Sequence, residues 1–337
     1  MKKSIALTLA LMLVLALLGT ALAEAAPEET GTLTLYYSHS TEWADPIIQQ
    51  FEEASGIKCE LVQGGTSDLF AKVRAEAGNP QGDVIWGGIA DTYAANADLM
   101  QPYAATELDK LVPMAIGKDN IWLGFDIEPL LMVYNTDMIA AENAPTTWAD
   151  ILDEQYKGRI ACADPTSSSS SYGLLMGIIN AYGTDSGKGY EFIRKLVEAL
   201  DGKVLSSSSA VYKGVAEGEY MIGLTYEEAA LRYINAGEPL AIVYPSEGTY
   251  FTASPVSIVK NCKNLASARK FVDFILSAEV QAQLASLNRR TSRTDVPVAA
   301  NMTPMDQIAI VQYDFDWSVA HEKEFRDTWL EYVADVG

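Results

Sequence analysis

The amino-acid sequence predicts an α/β protein in which parallel β-strands are covered by helices and the chain forms two domains. Two observations support this fold class. Short apolar runs alternate with amphipathic segments along most of the chain, which is the pattern of βαβ units. The chain also has 337 residues, a length that favours two domains over one.

The N-terminus has the pattern of a secretory signal peptide. Two lysines precede an apolar run over residues 5–18, and Ala21-Leu22-Ala23 is a small-residue cleavage site. The apolar run is short for a membrane span. We therefore expect residues 1–23 to be removed, with cleavage after Ala25 or a retained N-terminal anchor as the alternatives.

The first strands and helices follow directly on one another. In order, the predicted elements are strand Leu33–Tyr37, helix Asp45–Ala54, strand Ile57–Val62, helix Asp68–Ala77 and strand Val84–Trp86. Pro46 in the first turn of the first helix and Gly56 just beyond its end support its position. This order predicts parallel β-structure.

The remainder of the chain continues the alternation. The predicted elements are strand Leu130–Tyr134, a capping box starting at Thr147, strand Arg159–Cys162, helix Leu174–Ala181, helix 190–200, strand Val204–Leu205, helix 210–218, strand 220–226, an extended stretch over 240–261, one helix over 264–287 and terminal helices within 306–334.

The charge of the chain excludes some partners. It has 24 Lys and Arg residues against 45 Asp and Glu residues, which gives a net charge of −21. Nucleic-acid binding needs a basic surface, so we expect no nucleic-acid partner. The same charge disfavours binding to an anionic membrane. It leaves an anionic small molecule possible, because local donors decide binding inside a cleft.

The cysteines give no metal motif. Cys59, Cys162 and Cys262 are too widely spaced for a zinc site, and an odd number leaves at least one unpaired within the chain. We expect buried, unpaired thiols, with one disulfide as the alternative.

Small hydrogen-bonding residues follow several predicted strands. Ser38, His39, Ser40 and Thr41 follow the first strand, and a run of serines, Ser167–Ser171, precedes a helix. The residues that we predict to bind ligand at such turns are Ser38, His39, Ser40, Thr41, Gly87, Gly88, Ser168, Ser169, Ser170, Ser207 and Ser208. Helix N-termini carry unpaired N–H groups and partial positive charge, and in α/β sheets ligands lie beyond the carboxyl ends of strands. The pattern predicts one shared anion site, with independent helix caps as the alternative.

A second group of candidates lies in the stretch "LTYEEAALRY". Thr225, Tyr226 and Glu227 follow a strand and would reach the hydroxyl or amine groups of a ligand, with a solvated surface as the alternative for the glutamates. We expect Asp126 and Glu128 to be solvated loop residues. Three arginines near residue 290 are expected mainly in salt bridges at a surface, with one of them pairing a ligand anion as the alternative.

Catalytic motifs are absent from the sequence. There is no nucleophile elbow, zinc-protease helix, Walker loop or dinucleotide fingerprint, and the only histidines are His39 and His321. We expect no enzyme and no cofactor. A secreted hydrolase, the alternative, would have to use His39 as its base.

The order of several motifs resembles the periplasmic solute-binding proteins of ABC importers. These motifs are "LTLYYSHSTEWADPIIQQFEEASGIKCELVQGG", "PTTWADIL", "DPTSSSSSYGLL", "GEYMIGLTYEEAA" and "ARKFVDFILSAEVQAQLA". The ferric-iron type of this family is the most similar branch. The resemblance implies a type II-like fold of two α/β lobes with mixed sheets and two crossing strands, a periplasmic location and hinge closure on a ligand. It also implies a permease partner in the inner membrane and no catalysis, and we expect a monomer.

The resemblance also predicts where the lobes divide. We expect lobe one over residues 32–125 plus 252–285 and lobe two over residues 128–250 plus 286–337. The chain would cross between them near Phe125–Glu128 and Thr249–Thr252.

The resemblance raises a question about the ligand. By motif, the usual histidine, glutamate and tyrosine-pair ligands of ferric iron fall on Ser40, Gly88, Glu228 and Ala229. Seryl oxygens and glycine are poor ligands for ferric iron. We therefore expect a phosphorylated or phosphonate-like organic anion. Ferric iron is the main alternative, because Tyr226 and its neighbouring glutamates still offer oxygen ligands.

Overall fold

The computed structural model describes residues Gly31–Val336, so the predicted signal peptide lies outside the described residues. The strands are β1 Thr32–Tyr37, β2 Lys58–Gln63, β3 Val84–Trp86, β4 Met100–Gln101, β5 Leu123–Asn135, β6 Ile160–Ala163, β7 Val204–Leu205, β8 Ile222–Tyr226, β9 Leu240–Val243, β10 Tyr250–Val259 and β11 Arg290–Thr291. The α-helices are α1 Thr41–Ser55, α2 Thr66–Ala75, α3 Ala90–Ala95, α4 Ser169–Tyr182, α5 Lys188–Leu200, α6 Ser208–Ala216, α7 Glu227–Asn235, α8 Leu265–Ile275, α9 Ala278–Ser286, α10 Phe315–Ala320 and α11 Glu322–Val336.

The strands form one mixed sheet in the order β2-β1-β3-β10-β5-β8-β6-β7. At one end β1 runs parallel to β2 and β3, and at the other end β6 runs parallel to β7 and β8. Between these two blocks, β5 and β10 pair with each other and with both neighbours in antiparallel fashion. The prediction of an α/β fold with mixed sheets is confirmed.

The long strands β5 and β10 pass from one apolar core to another. In β5, Phe125 and Ile127 are buried in one core, whereas Leu130 and Met132 are buried in a second core. Thr252 of β10 pairs with Glu128 of β5 at the position where the change occurs. The two crossing points predicted from the sequence are therefore neighbours in the sheet.

The described residues bury their apolar side chains in separate clusters. The first cluster draws on residues 33–127 and 251–284, together with Ile308. The second and third clusters draw mainly on residues 130–250, and the C-terminal residues Phe325 and Trp329 join the second. The exact lobe boundaries stay a prediction.

One segment predicted for lobe two, residues 290–293, has contacts on both sides of the molecule. Strand β11 pairs with Asp126 and Ile127 at the start of β5. Further along the chain, Arg293 bridges to Leu111 and forms an ion pair with Glu107, both on the side of the first cluster. The segment 290–293 therefore contacts the first side through β11 and Arg293, and it also contacts the second side through the buried pair of Arg290 with Glu227.

The predicted helix over residues 264–287 is two helices, so the prediction of one continuous helix is wrong. Helix α8 ends at Ile275 and α9 begins at Ala278. Between them, the Ser277 hydroxyl donates to the Phe274 carbonyl and accepts from the Val280 N–H, which caps the second helix. The apolar period continues across the break, so periodicity alone does not reveal it.

The capping box predicted at Thr147 is present, but it begins only a short 3-10 turn, Ala149–Leu152. The Thr147 hydroxyl accepts from the Asp150 N–H at 3.1 Å, and the Asp150 carboxylate accepts from the Thr147 N–H at 2.9 Å. The reciprocal cap of the sequence pattern therefore forms without a following α-helix.

Two further features concern the membrane and the thiols. Among residues 31–336, no helix combines the length and apolar character needed to cross a bilayer. Cys162 is buried, Cys59 and Cys262 are partly buried, and all three thiols are free.

Candidate functional site

A cavity of about 530 Å³ lies where the N-terminal ends of four helices meet. Helices α1 and α2 follow strands of the first parallel block, whereas α4 and α6 follow strands of the second block. The crossing strands contribute Glu128 from β5 and Ser254 from β10 to the lining. The cavity therefore lies between the two sides of the molecule, at the carboxyl ends of the parallel strands.

Helices α1 and α2 begin without a side-chain cap. Ser40 is the N-cap residue of α1 and Gly65 is the N-cap residue of α2, and neither helix has a hydrogen bond from a capping side chain. The first N–H groups of a helix have no acceptor inside the helix. The first residues of both helices line the cavity, so the positive end of each helix dipole lies beside it.

Helices α4 and α6 begin with a capping serine. The Ser168 hydroxyl accepts from the Ser171 N–H, and the Ser207 hydroxyl accepts from the Ala210 N–H, both at 3.3 Å. The alternative of independent capping is therefore correct for these two serines. Both of them still line the cavity, as do the next residues of each helix.

Most predicted binding residues come together around this cavity. The ones that line it are Ser38, His39, Ser40, Thr41, Gly88, Ser168, Ser169, Ser170, Ser207, Ser208 and Tyr226. They come from five separate segments of the chain, which meet where the carboxyl ends of the two parallel blocks face each other beside the crossing strands.

The Gly87-Gly88 pair shapes the wall of the cavity. Both glycines have positive φ values, 105° and 89° respectively. A Cβ atom on Gly87 would lie 2.6 Å from the His39 ring, and one on Gly88 would lie 2.5 Å from a Thr66 methyl group. Gly87 itself does not line the cavity, since its N–H donates to the Pro255 carbonyl and it packs behind His39. Only glycine fits both positions.

The two sides of the cavity touch each other. The Ser169 hydroxyl of α4 donates to Thr66 Oγ1 of α2 at 3.2 Å, and Thr66 in turn donates to Ser38 Oγ at 3.0 Å. Arg232 of α7 forms an ion pair with Glu42 of α1 at 2.7 Å. These contacts join first-side helices to second-side helices, so the structure shows the site in a closed arrangement.

His39 is held by aromatic packing. Its ring centroid lies 4.6 Å from those of both Trp43 and Trp86 and 5.3 Å from that of Phe125. Burial, with the nearby Arg289 charge, holds the pKa of His39 well below its ordinary value. Its Nε2 atom has no hydrogen-bond partner among the described residues. The neutral ring therefore acts mainly as part of the wall.

A buried ion cluster lies beneath the cavity. Arg289 lines the cavity, forms an ion pair with Asp126 and another with Glu228 at 3.2 Å, and lies 3.9 Å from the Trp43 ring centroid. Asp126 is 1% exposed on strand β5, so the expectation of a solvated loop residue is wrong. An unpaired charge is costly in such a low-dielectric place, and this cost explains why Asp126 and Glu228 are both paired with Arg289.

Thr225 and Glu227 do not line the cavity. The Glu227 carboxylate takes two hydrogen bonds from Arg290, at 2.6 and 2.7 Å, and one from the Tyr244 hydroxyl. This pairing corrects the expectation that Glu227 contacts a ligand, because its carboxylate oxygens already accept hydrogen bonds from Arg290 and Tyr244. Thr225 is buried within β8.

Glu128 lines the cavity and differs from its acidic neighbours. Its side chain is half-buried, and no ion pair or hydrogen bond involves its carboxylate among the described residues. Burial and the nearby Asp126 charge raise the pKa of Glu128 well above its ordinary value. The sequence-based expectation of a freely solvated carboxylate is therefore wrong.

Sequence reasoning missed several parts of the lining. These are Glu42, Trp43, Gln63, Gly64, Gly65, Thr66, Asp68, Ile89, Tyr212, Lys213, Arg232 and Ser254. One part of this lining could have been found from the sequence. Gly64-Gly65-Thr66 repeats the pattern of a strand, a polar turn and a helix. The helix was expected to begin at Asp68, and this late start hid the turn.

Among residues 31–336, no group of three or more His, Cys, Asp and Glu side chains is arranged to hold a metal ion. The donors around the cavity are mainly hydroxyl and N–H groups, with Lys213, Arg232 and Arg289 as cations. Such a set suits an oxyanion.

The family model of bacterial extracellular solute-binding proteins matches residues 46–308 of the chain. An uncharacterized protein of Haemophilus influenzae is 30% identical over 319 residues, which cover 90% of this chain and 91% of that protein. A putative 2-aminoethylphosphonate-binding periplasmic protein of Salmonella typhimurium is 23% identical, with 85% of each chain covered. The major ferric iron-binding protein of Neisseria meningitidis is 26% identical, with 94% of this chain and 96% of that protein covered.

The structure is also similar to a solved one. The periplasmic binding protein AfuA from Actinobacillus pleuropneumoniae, with fructose-6-phosphate bound, superposes with a TM-score of 0.84 at 26% identity. The match covers 90% of this chain and 99% of AfuA. The prediction of a two-lobed binding protein of the ABC importer type is confirmed, and the chain belongs to the family of bacterial extracellular solute-binding proteins.

Proposed function

We propose that this protein captures a phosphorylated or phosphonate-like organic anion between its two lobes and delivers it to an ABC permease in the inner membrane. After removal of residues 1–23 it would work in the periplasm as a monomer. Hinge movement at the crossing strands would open and close the cavity. The permease and the periplasmic location follow from the family, whose members are extracellular solute-binding proteins.

The convergence of four helix N-termini on one cavity carries this proposal. Each helix end holds about half a positive charge and unpaired N–H donors. A hydrogen bond to a charged group contributes about 1.5–3 kcal/mol. Several such bonds from α1, α2, α4 and α6, with hydroxyls such as Ser170 and Ser208, give strong binding of a tetrahedral oxyanion although the whole protein is acidic.

Two comparisons agree with a phosphorus-containing ligand. AfuA holds fructose-6-phosphate, and the Salmonella relative is named for a phosphonate. The Neisseria relative is named for ferric iron. Ferric iron prefers charged oxygen ligands, and the neutral hydroxyls that dominate this cavity are weak ligands for it.

We also propose that the site binds without catalysis. A hydrolase would need His39 to take a proton from a nucleophile. The His39 Nε2 atom has no hydrogen-bond partner among residues 31–336, and its ring is enclosed by aromatic side chains. This arrangement leaves no paired nucleophile and base.

A single charge substitution tests the ligand class. Ser170→Asp places a carboxylate at the N-terminus of α4, where a negative charge favours the helix but repels an anion. The probes are inorganic phosphate, fructose 6-phosphate, 2-aminoethylphosphonate and ferric citrate, measured by calorimetry and thermal shift. Thr136→Asp, on an exposed turn, is the control.

We expect at least one phosphorus-containing probe to bind the wild-type protein. Ser170→Asp should weaken that binding by about 100-fold at unchanged stability, since repulsion replaces a donor in a low-dielectric site. Thr136→Asp should leave it unchanged. Binding of ferric iron alone, strengthened by the added carboxylate, would contradict the proposal.

A further inference from the structure

We propose that Glu128 selects the second functional group of the solute and that this group is a cationic amine. The inference rests on the proposed function, in which the helix ends hold the anionic group. The solute would then carry a positive charge as well as a negative one and would be zwitterionic.

The first step is the position of Glu128. It lies on β5, directly opposite Thr252 of β10, where the chain crosses between the two sides. Its side chain lines the same cavity as the four helix ends. A solute held by its anionic group at those ends therefore shares one enclosed space with this carboxylate.

The second step is the pairing of the neighbouring acids. Asp126 pairs with Arg289, Glu227 pairs with Arg290, and Glu228 lies between Arg289 and Arg232. The Glu228 carboxylate lies 3.1 Å from the Arg232 guanidinium and 3.2 Å from the Arg289 guanidinium. Every buried acid around Glu128 thus has a guanidinium partner of its own.

The third step is what this leaves for Glu128. Among the described residues its carboxylate forms no ion pair and accepts no hydrogen bond, although the Arg289 charge acts on it from a distance, and it lines the cavity. Three arginines form ion pairs with Asp126, Glu227 and Glu228, so none of the three forms an ion pair with Glu128. An unpaired acid in a poorly solvated place is costly, and acids perturbed in this way are concentrated at functional sites.

The fourth step is the chemistry of the missing partner. Burial and the Asp126 charge raise the pKa of Glu128, which favours its neutral form more than water does. A ligand hydroxyl accepts a hydrogen bond from that form without changing the charge of the cluster. A ligand ammonium both donates hydrogen bonds and supplies the positive charge that the cluster lacks, so it is the better partner.

Matched probe pairs test this inference. Glucosamine 6-phosphate and glucose 6-phosphate differ by an amine in place of a hydroxyl, and 2-aminoethylphosphonate and ethylphosphonate differ by the amine alone. Affinities are measured by calorimetry at constant ionic strength for the wild-type protein and Glu128→Gln. Glu60→Gln, which removes an exposed carboxylate of β2, is the control. The melting temperature of each variant reports its folding.

In the wild-type protein, the amine member of at least one pair should bind about 30-fold tighter or more, as expected for a desolvated charge pair. Glu128→Gln should remove that preference by weakening only the amine member, whereas Glu60→Gln should keep it. Equal binding within both pairs, or a preference that survives in Glu128→Gln, would overturn the inference and leave the proposed function intact. Failure of all phosphorus-containing probes to bind would overturn both.

Discussion

Arg232 of α7 and Glu42 of α1 form an ion pair of 2.7 Å across the mouth of the cavity, although they are 190 residues apart in the chain. Arg232 also pairs with Glu228 of its own helix at 3.1 Å. If the lobes separate, Arg232 would keep Glu228 as a partner, whereas Glu42 would lose the Arg232 charge. We expect this pair to form only in the closed arrangement.

Glu42→Gln should weaken ligand binding slightly. The Glu42 side chain is 67% exposed, so the pair contributes at most about 1 kcal/mol, and a loss of up to five-fold in affinity follows. The loss should shrink in high salt because the charges are then screened. Calorimetry with fructose 6-phosphate at low and high ionic strength measures it. Glu60→Gln should show no loss, and an equal loss in both variants would attribute the effect to net charge instead.

Gly88→Ala should destabilise the protein and damage the site together. Its φ of 89° is in the left-handed region, and the added methyl group would lie 2.5 Å from a Thr66 methyl group. The backbone conformation alone costs about 1–2 kcal/mol for a residue with a Cβ atom. Urea unfolding measures the change.

Gly78→Ala is the control for this substitution. No atom lies within 4 Å of its added Cβ, and its φ is not positive. It should leave stability unchanged or raise it by about 0.4–1 kcal/mol, by restricting the unfolded chain. A Gly88→Ala variant as stable as Gly78→Ala would show that the wall of the cavity adapts freely.

Arg290→Met should destabilise the protein strongly. Arg290 and Glu227 are 2% and 1% exposed as side chains, and the substitution leaves a buried carboxylate without its cation. Breaking such a pair costs about 3–5 kcal/mol. Arg74→Met is the control, because its partner Asp98 is 63% exposed and a pair of that kind contributes about 0.2–1 kcal/mol. Unfolding free energies are measured in urea. Equal values for the two variants would contradict the expectation that breaking the buried pair costs more than breaking the exposed one.

The sequence predicts the local parts of the site better than the long-range ones. Ser168 and Ser207 are recognisable because the change from a strand pattern to a helix pattern lies within a few residues of each. The pairing of Arg289 with Asp126 joins positions 163 residues apart. It depends on β11 packing beside β5, which no local pattern encodes. Asp126 and Glu227 were misjudged for this reason, since a charged residue looks solvated until its partner is known.

Asp91 should make folding stability depend on pH in a direction unusual for a carboxylate. It is fully buried, and its carboxylate accepts hydrogen bonds from the Tyr250 hydroxyl at 2.7 Å and from Tyr313. Burial raises the pKa of Asp91 to about 6, above its ordinary value of 3.8, with Glu322 adding to the rise. The folded protein therefore binds a proton more tightly than the unfolded chain between these values.

The wild-type protein should lose stability from this group as pH rises from about 4 to about 6, by about 3 kcal/mol in total. Asp91→Asn cannot ionise, so its unfolding free energy relative to wild type should increase over the same window and level off above it. Urea unfolding from pH 4 to pH 8 measures the difference. Asp185→Asn, on an exposed loop, should show no such increase. A difference between Asp91→Asn and wild type that stays constant with pH would show that Asp91 titrates alike in both states.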